Sequence, residues 1–333
     1  MKRLAINGLG RIGRMVLRHY VETRPEGVEL VVANDLVDTD DLAYLIKYDS
    51  VHRQLPLVVR ADSDAVHVGD VTVRITAEKD PALLPWKELG IDVVIESTGR
   101  FTKRELAAKH LEAGAKRVII SAPATDADIT IVIGVNDGKF DPAKHRIISL
   151  ASCTTNSLVP PLKVLMDSFG VERAMATTVH AYTASQALVD RPDKKRNRGR
   201  AAAVSLVPST TGSDVATVLV LPELKDRLRA LAIRAPIPDG AITDIVADLR
   251  KATTVEEVNA AMRKASEGSL KGILAYTEED LVSADIIGDT HSGIVHARST
   301  QVVQGTMVKL QVWYDNEFGY SKRLLDAVQR LAM

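Results

Sequence analysis

Arg3-Leu-Ala-Ile-Asn-Gly-Leu-Gly-Arg-Ile-Gly13 decides how the first half of this chain folds. Arg3 to Asn7 reads as a short buried strand, Gly8, Gly10 and Gly13 as a turn, and Ile12, Val16, Leu17 and Tyr20 as the apolar face of a helix. In a strand-turn-helix unit of this kind the first glycine makes the tight turn. The second lets backbone N–H groups approach a pyrophosphate, and the third lets helix and strand pack closely. A second strand, Val28 to Asn34, ends in Asp35, an acid placed to accept hydrogen bonds from an adenosine ribose. Taken in order, these elements predict a dinucleotide site, against the plainer reading of Asp35 as a solvated turn residue. A carboxylate there repels an additional 2'-phosphate, so NAD is favoured over NADP.

Outward from this unit, Asp40 to Tyr48 reads as a helix and residues 57–75 as a hairpin around Gly69-Asp70. The buried strand Ile91 to Glu96 ends at Ser97-Thr98-Gly99, small residues that let a ligand approach backbone. Glu105 to Ala113 is helical, and Arg117 to Ser121, Ile129 to Val135 and Arg146 to Ala151 are strands. Strands alternating with helices predict a mostly parallel sheet covered on both faces, hence an α/β domain over residues 1–150. Beyond it the pattern changes. Long strands (Arg173 to His180, Leu228 to Ala235, Ala241 to Leu249, Thr306 to Trp313) with few helices predict an α+β domain with a mainly antiparallel sheet over residues 151–316. The last helix has an apolar face, Leu324, Leu325, Val328 and Leu331, that must dock on something.

The composition narrows the classes of function. The chain has 333 residues, 46% of them apolar, enough for about two domains. Its 43 basic and 43 acidic residues balance, which gives no global field toward nucleic acid or membrane and makes a small-molecule ligand the default. The residues from Met1 run straight into the glycine motif without an apolar signal core, and no apolar run reaches the ~20 residues of a membrane span. One cysteine and no disulfide framework point to a reducing cytoplasm. The loop from Ser185 to Arg200 carries six basic residues, but without aromatic interleaving it reads as solvated surface rather than a nucleic-acid footprint.

That one cysteine lies in Ala151-Ser-Cys-Thr-Thr-Asn156, between a predicted strand and a predicted helix. At a helix N-terminus the free N–H groups and the dipole favour thiolate, the nucleophilic form. A lone cysteine is otherwise a packing residue, and a catalytic one needs a histidine partner. His180 ends a strand, and Ser209-Thr-Thr-Gly212 is either an oxyanion cradle or only a helix cap.

Ile6-Asn-Gly-Leu-Gly-Arg-Ile-Gly-Arg14, the cysteine hexapeptide, His180-Ala-Tyr-Thr183 and Trp313-Tyr-Asp-Asn-Glu-Phe-Gly-Tyr320 together resemble phosphorylating glyceraldehyde-3-phosphate dehydrogenases, essentially from end to end. The resemblance implies a Rossmann-like NAD domain completed by a C-terminal helix over residues 317–333, a separate catalytic domain, a homotetramer, and a place in glycolysis and gluconeogenesis. It further implies Cys153 as nucleophile and His180 as base, with no metal. The pyrophosphate falls to Gly8, Gly10, Arg11 and Ile12, the ribose to Asp35, and the rest of the cofactor to Thr98, Phe101 and Ser121, with Asn316 and Tyr320 at the nicotinamide. Thr183 and Arg234 would hold the phosphate of glyceraldehyde 3-phosphate. Ser152, Thr154, Arg198, Thr211 and Gly212 would hold inorganic phosphate.

Some positions depart from the family pattern. Leu9 stands where Phe is usual, Ala181 where Ser is common, and Ala235 where Val is usual; all three read as packing changes. Asp190-Arg191-Pro192 lies in a loop one residue shorter than in common bacterial forms, and an arginine there could pair with a 2'-phosphate, so Arg191 and Asp35 point to opposite cofactors. Ser213-Asp214 replaces a small pair, and an acid beside an anion site weakens phosphate affinity. The alternatives are erythrose-4-phosphate dehydrogenase, whose members usually lack the Tyr-Thr after the histidine, and a non-catalytic nucleotide- or RNA-binding protein on the same scaffold. The second has no need of Cys153, His180 and Arg234.

Overall fold

The computed structural model describes residues 1–331, and the chain divides into two compact units, Met1–Ala151 with the segment from Ser321 onward, and Ser152–Tyr320.

In the first unit the described strands are β1 (Lys2–Asn7), β2 (Val28–Asn34), β3 (Val59–Ala61), β4 (Ala65–Val68), β5 (Val71–Thr76), β6 (Val93–Glu96), β7 (Arg117–Ile120), β8 (Ile129–Thr130) and β9 (Ile147–Ser149). They form one sheet in the order β3-β4-β5-β2-β1-β6-β7-β9-β8. From β5 to β8 all neighbours run parallel, and the antiparallel pairs are β3–β4 and β4–β5. Leu4, Ala5 and Ile6 of β1 have no exposed surface, as a central parallel strand covered on both faces requires. The order reverses between β1 and β6, and an open α/β sheet leaves a crevice at such a switch point, beyond the strands' C-terminal ends. Helices α1 (Arg11–Thr23), α2 (Thr39–Lys47) and α3 (Arg104–Glu112) belong to this unit.

The strand expected over residues 129–135 stops at Thr130. A side chain takes over the backbone pairing. Asn136 Oδ1 accepts from Val132 N at 2.8 Å, and Asn136 Nδ2 donates to Thr130 O at 2.9 Å, which folds the segment into a turn.

The second unit holds α4 (Cys153–Phe169), β10 (Val171–Ala181), β11 (Val207–Thr210), α5 (Ser213–Val220), β12 (Leu228–Ala235), β13 (Ala241–Leu249), α6 (Val255–Glu267), β14 (Leu274–Thr277), β15 (Gly293–His296), β16 (Gln301–Val303) and β17 (Met307–Tyr314). Its sheet runs β11-β12-β10-β13-β17-β15-β14, with β16 on β17. The pairs β10–β12 and β14–β15 are parallel and the other described pairs antiparallel. β13 alternates buried and half-buried residues along its whole length, the signature of a sheet with one covered face. The sequence reading missed β11, β14, β15 and β16, each of three or four residues and too short to show a period. α6 is held at its start by a capping box between Thr254 and Glu257.

The last helix, α7 (Phe318–Leu331), groups from Ser321 onward with the first unit. There Lys2 Nζ donates to Gln329 O at 2.6 Å, and Arg330 pairs with Asp137 at 3.1 Å.

Candidate active site

Within the first unit, the C-terminal ends of β1, β2 and β6 surround a cavity of about 580 Å³. Gly8, Gly10, Asp35, Thr98 and Phe101 line it, together with Asn7, Asn34, Glu78 and Lys79, which sequence reading did not single out. Arg11, Ile12 and Ser121 are not among its lining residues. Arg11 instead pairs through its guanidinium with Asp49, which is held down at about 2 against its own burial by His52 and Val51 backbone N–H groups and by Arg11.

The glycine motif has the local geometry its spacing implies. Gly8 has φ +96°, and a Cβ on it would come 2.9 Å from Thr98. A Cβ on Gly13 would fall 1.9 Å from Gly8 O, so only glycine lets α1 pack there. At Gly10 a Cβ would meet nothing within 4 Å, which leaves the space beside its backbone open to a ligand. Asp35 ties the loop to β2, since its Oδ2 accepts from Leu9 N at 2.6 Å and its Oδ1 from Val37 N at 3.1 Å.

Behind the cavity, Glu96 is 1% exposed and accepts from Asn7 Nδ2 at 2.6 Å and Thr98 N at 2.8 Å. Trp86 Nε1 donates to His110 Nδ1 at 2.9 Å, so His110 Nε2 carries the proton it gives to Glu96 at 3.0 Å. The floor is therefore a satisfied network whose amides and hydroxyl have fixed orientations.

In the second unit, Cys153 is the first residue of α4. The turn that delivers it passes through Ala151, a non-glycine residue at φ +55°, a conformation that stores strain and is typical of functional sites. Ser152 caps the helix by accepting from Thr155 N at 3.1 Å. Cys153 Sγ lies 3.4 Å from His180 Nε2. In the parallel pairing of β10 and β12, His180 stands opposite Arg234. Arg234 Nη1 is 2.7 Å from His180 Nδ1 and 3.0 Å from Ala181 O, and His180 Nδ1 is itself 2.7 Å from Ala181 O.

Electrostatics here differ from the dipole-favoured thiolate expected of a helix start. Burial pushes the thiol up to about 11, against the lowering influence of the Arg234 charge and of hydrogen bonds from Thr154. Burial first and Arg234 second bring the imidazole down to about 3. Desolvation thus favours the thiol and the neutral imidazole, opposing the pull of the helix end. The 3.4 Å separation lets a proton pass between sulfur and nitrogen as the sulfur attacks an electrophile.

Around this pair the hydroxylic residues sort into three groups. Thr211 Oγ1 lies 2.7 Å from Ser213 Oγ, which is 3.4 Å from Ser152 Oγ, at the adjoining N-termini of α4 and α5. Gly212 caps α5. Arg198 reaches Ser209 Oγ at 3.1 Å and Ser185 Oγ at 3.5 Å, and Thr183 Oγ1 is 3.0 Å from Ser185 Oγ. Thr154 Oγ1 also lies 3.0 Å from the hydroxyl of Tyr314, which sits 2.7 Å from Thr178 Oγ1. Sequence reading missed Tyr314 and Thr178; Ser213 drew attention only as an unusual residue beside Gly212.

Asn316 is 4% exposed, and its buried Oδ1 has no hydrogen-bond partner among the described residues, an acceptor that a ligand amide would satisfy. Tyr320 is also buried, and burial holds its phenol well above the usual range. Arg191 lies exposed in the loop with its N–H on Gly199 O at 2.8 Å, while neighbouring Asp190 pairs with Arg200 at 2.8 Å.

Comparisons with known proteins agree over nearly the whole chain. The family model described as glyceraldehyde 3-phosphate dehydrogenase, NAD binding domain, matches residues 2–104, and the one described as the C-terminal domain of the same family matches residues 152–316. The glyceraldehyde-3-phosphate dehydrogenase of Geobacillus stearothermophilus is 54% identical over 330 residues, covering 99% of this chain and 98% of that protein. The protein of that name from Thermotoga maritima is 53% identical over 331 residues, covering 99% of both. Glyceraldehyde-3-phosphate dehydrogenase 1 of Bacillus subtilis is 53% identical over 330 residues, covering 99% of this chain and 98% of that protein.

Proposed function

The chain belongs to the glyceraldehyde 3-phosphate dehydrogenase family, and on that premise we propose that its chemistry runs through Cys153 and His180. Its activity is the NAD-dependent oxidation of glyceraldehyde 3-phosphate, an oxidoreductase step of glycolysis. The observation that carries the residue assignment is the 3.4 Å approach of Cys153 Sγ to His180 Nε2.

Sγ of Cys153 attacks the aldehyde carbon as its proton passes to His180 Nε2, giving a thiohemiacetal covalently held on sulfur. His180 Nε2 hands that proton to the alkoxide oxygen of the adduct and, so freed, takes the resulting hydroxyl proton back as the carbon is oxidised, a general-base contribution worth ~10²–10⁴ in rate. NAD, when bound, accepts the hydride that leaves the carbon. Inorganic phosphate then attacks the resulting thioester at Cys153 and releases 1,3-bisphosphoglycerate, which returns the sulfur. Arg234 with Thr183 holds the phosphate of the aldehyde. Ser152, Thr154, Arg198, Thr211 and Gly212 hold the attacking phosphate.

Residues 1–150 with the C-terminal segment from 317 bind NAD, and residues 151–316 carry catalysis. Gly8, Gly10, Arg11 and Ile12 hold the pyrophosphate, Asp35 the ribose, Thr98, Phe101 and Ser121 the remaining cofactor atoms, and Asn316 and Tyr320 the nicotinamide. The open space at Gly10 and the orphaned Asn316 Oδ1 support this fit. The protein works as a cytoplasmic homotetramer without nucleic-acid or membrane partners. Leu188, Val189, Val204 and Leu206, between 67% and 79% exposed around one loop, support burial against another copy. No helix of the described residues is long and apolar enough to cross a membrane.

The test is an assay of the purified protein with glyceraldehyde 3-phosphate and with erythrose 4-phosphate, with and without phosphate, against NAD and NADP. Phosphate-dependent NAD reduction with glyceraldehyde 3-phosphate is the expected result; faster turnover of erythrose 4-phosphate would overturn it.

A further inference from the structure

His180 Nδ1 has two neighbours at the same distance that make opposite demands on it. Ala181 O, at 2.7 Å, accepts and so asks for a proton on Nδ1. Arg234 Nη1, also at 2.7 Å, only donates, because a guanidinium has no acceptor. With Arg234 in place, a proton on Nδ1 would set two N–H groups head to head. Arg234 Nη1 also supplies Ala181 O with a donor at 3.0 Å, so the carbonyl does not need the imidazole. The imidazole then keeps its proton on Nε2, the nitrogen 3.4 Å from Cys153 Sγ. A nitrogen that carries a proton cannot accept one.

We propose that Arg234 sets which nitrogen of His180 is protonated, and that capture of its guanidinium by a substrate phosphate turns His180 Nε2 from donor to base. The change leaves the ring neutral. Nδ1 gains a proton from water and donates it to Ala181 O, while Nε2 returns its proton to water and turns its lone pair toward sulfur. Arg234 has the freedom for this, since its buried Nε has no hydrogen-bond partner among the described residues. A phosphodianion offers the guanidinium two oxygens and a full counter-charge, more than a neutral ring nitrogen can. The base is therefore assembled only when a phosphorylated aldehyde is present, and an unphosphorylated one is turned over slowly even when saturating. This inference rests on the assignment of Arg234 to the substrate phosphate.

The experiment compares the full-length protein and Arg234→Leu by ¹⁵N NMR of histidine-labelled samples, with His180 assigned from its absence in His180→Gln. Glycerol 3-phosphate, which carries the phosphate but no aldehyde, is the probe. In the wild type the bare nitrogen is expected to be Nδ1 without the probe and Nε2 with it, whereas in Arg234→Leu it is Nε2 throughout. The same bare nitrogen in wild type and variant without the probe would overturn the proposal. As a second readout, kcat for glyceraldehyde at saturation should rise roughly 10-fold in Arg234→Leu, a fraction of what a general base contributes; an unchanged or lower kcat counts against the switch. The phosphate assignment is read separately, from kcat/KM with glyceraldehyde 3-phosphate. If that ratio does not fall in Arg234→Leu, the assignment fails whatever the tautomer does. If it falls while the tautomer stays put, only the switch fails.

Discussion

Cys153 Sγ and His180 Nε2 stand 3.4 Å apart although 27 residues separate them in sequence. One begins a helix and the other lies near the end of the strand that follows it, so the pair forms only when α4 and β10 pack together. Cys153→Ser keeps the shape of the site and exchanges the thiol for a far weaker nucleophile. Oxidation of glyceraldehyde 3-phosphate is expected to fall at least ~10³-fold, while calorimetry shows NAD binding within about twofold of wild type. Residual turnover near the wild-type rate would remove Cys153 from the mechanism.

Asp35 and Arg191 are the two residues at which cofactor choice is to be tested. Asp35 is fastened by Leu9 N at 2.6 Å and Val37 N at 3.1 Å, so its charge does not swing away from an incoming 2'-phosphate. Arg191 is exposed on a loop. Arg191→Leu should lower the NADP-to-NAD ratio of kcat/KM and Asp35→Gly should raise it, each by ~10-fold, the scale of one charge-assisted contact. An unmoved ratio in Arg191→Leu shows that this arginine does not meet the 2'-phosphate.

Asp214 lies in the first turn of α5, beside Gly212 and Ser213, where its carboxylate accepts from Val215 N at 2.8 Å. It puts negative charge next to donors that would hold inorganic phosphate. Asp214→Ala is expected to lower KM for phosphate two- to fivefold at low ionic strength, with the gain fading at high salt as screening grows, since a surface charge acts through solvent. A KM for phosphate that is unchanged at low salt would place the anion elsewhere.

Asp239 is 2% exposed, and burial, with Asp315 and Glu317 adding repulsion, pushes it up to about 9. The unfolded chain releases that proton near ~4, so the folded state holds more protons between the two values. This group's contribution to stability is complete below ~4 and is lost as pH rises toward 9. Asp239→Asn removes the titration, and the urea midpoint should decline less between pH 5 and 9 than in wild type. An identical decline would show that Asp239 is ionised in the folded protein.

Much of the fold was legible because its signals are local. The order strand, glycines, helix, strand and acid needs only neighbouring residues, and Gly13, where any side chain would strike Gly8 O, admits no substitute. The parallel sheet followed from alternating strands and helices. The short strands β14, β15 and β16 were not legible, since their pairing with each other and with β17 comes from long-range contacts rather than periodicity. Asn136 ended a predicted strand by bonding backbone at Thr130 and Val132, a competition that hydropathy does not register.

At the site, the sequence by itself determined the residue types: a single thiol at a helix start, a histidine ending a strand, an arginine in another strand, and hydroxyls on either side of the cysteine and in the turn before a helix. Only the tertiary structure decided how they are charged and which way they face. The register of β10 against β12 sets Arg234 on His180, and burial works against charge on the thiol and the imidazole. The packed core likewise turns the Thr154 hydroxyl inward to Tyr314. The reason is physical: nucleophilicity is a property of side-chain identity, whereas protonation depends on desolvation and on charges that only folding brings within reach.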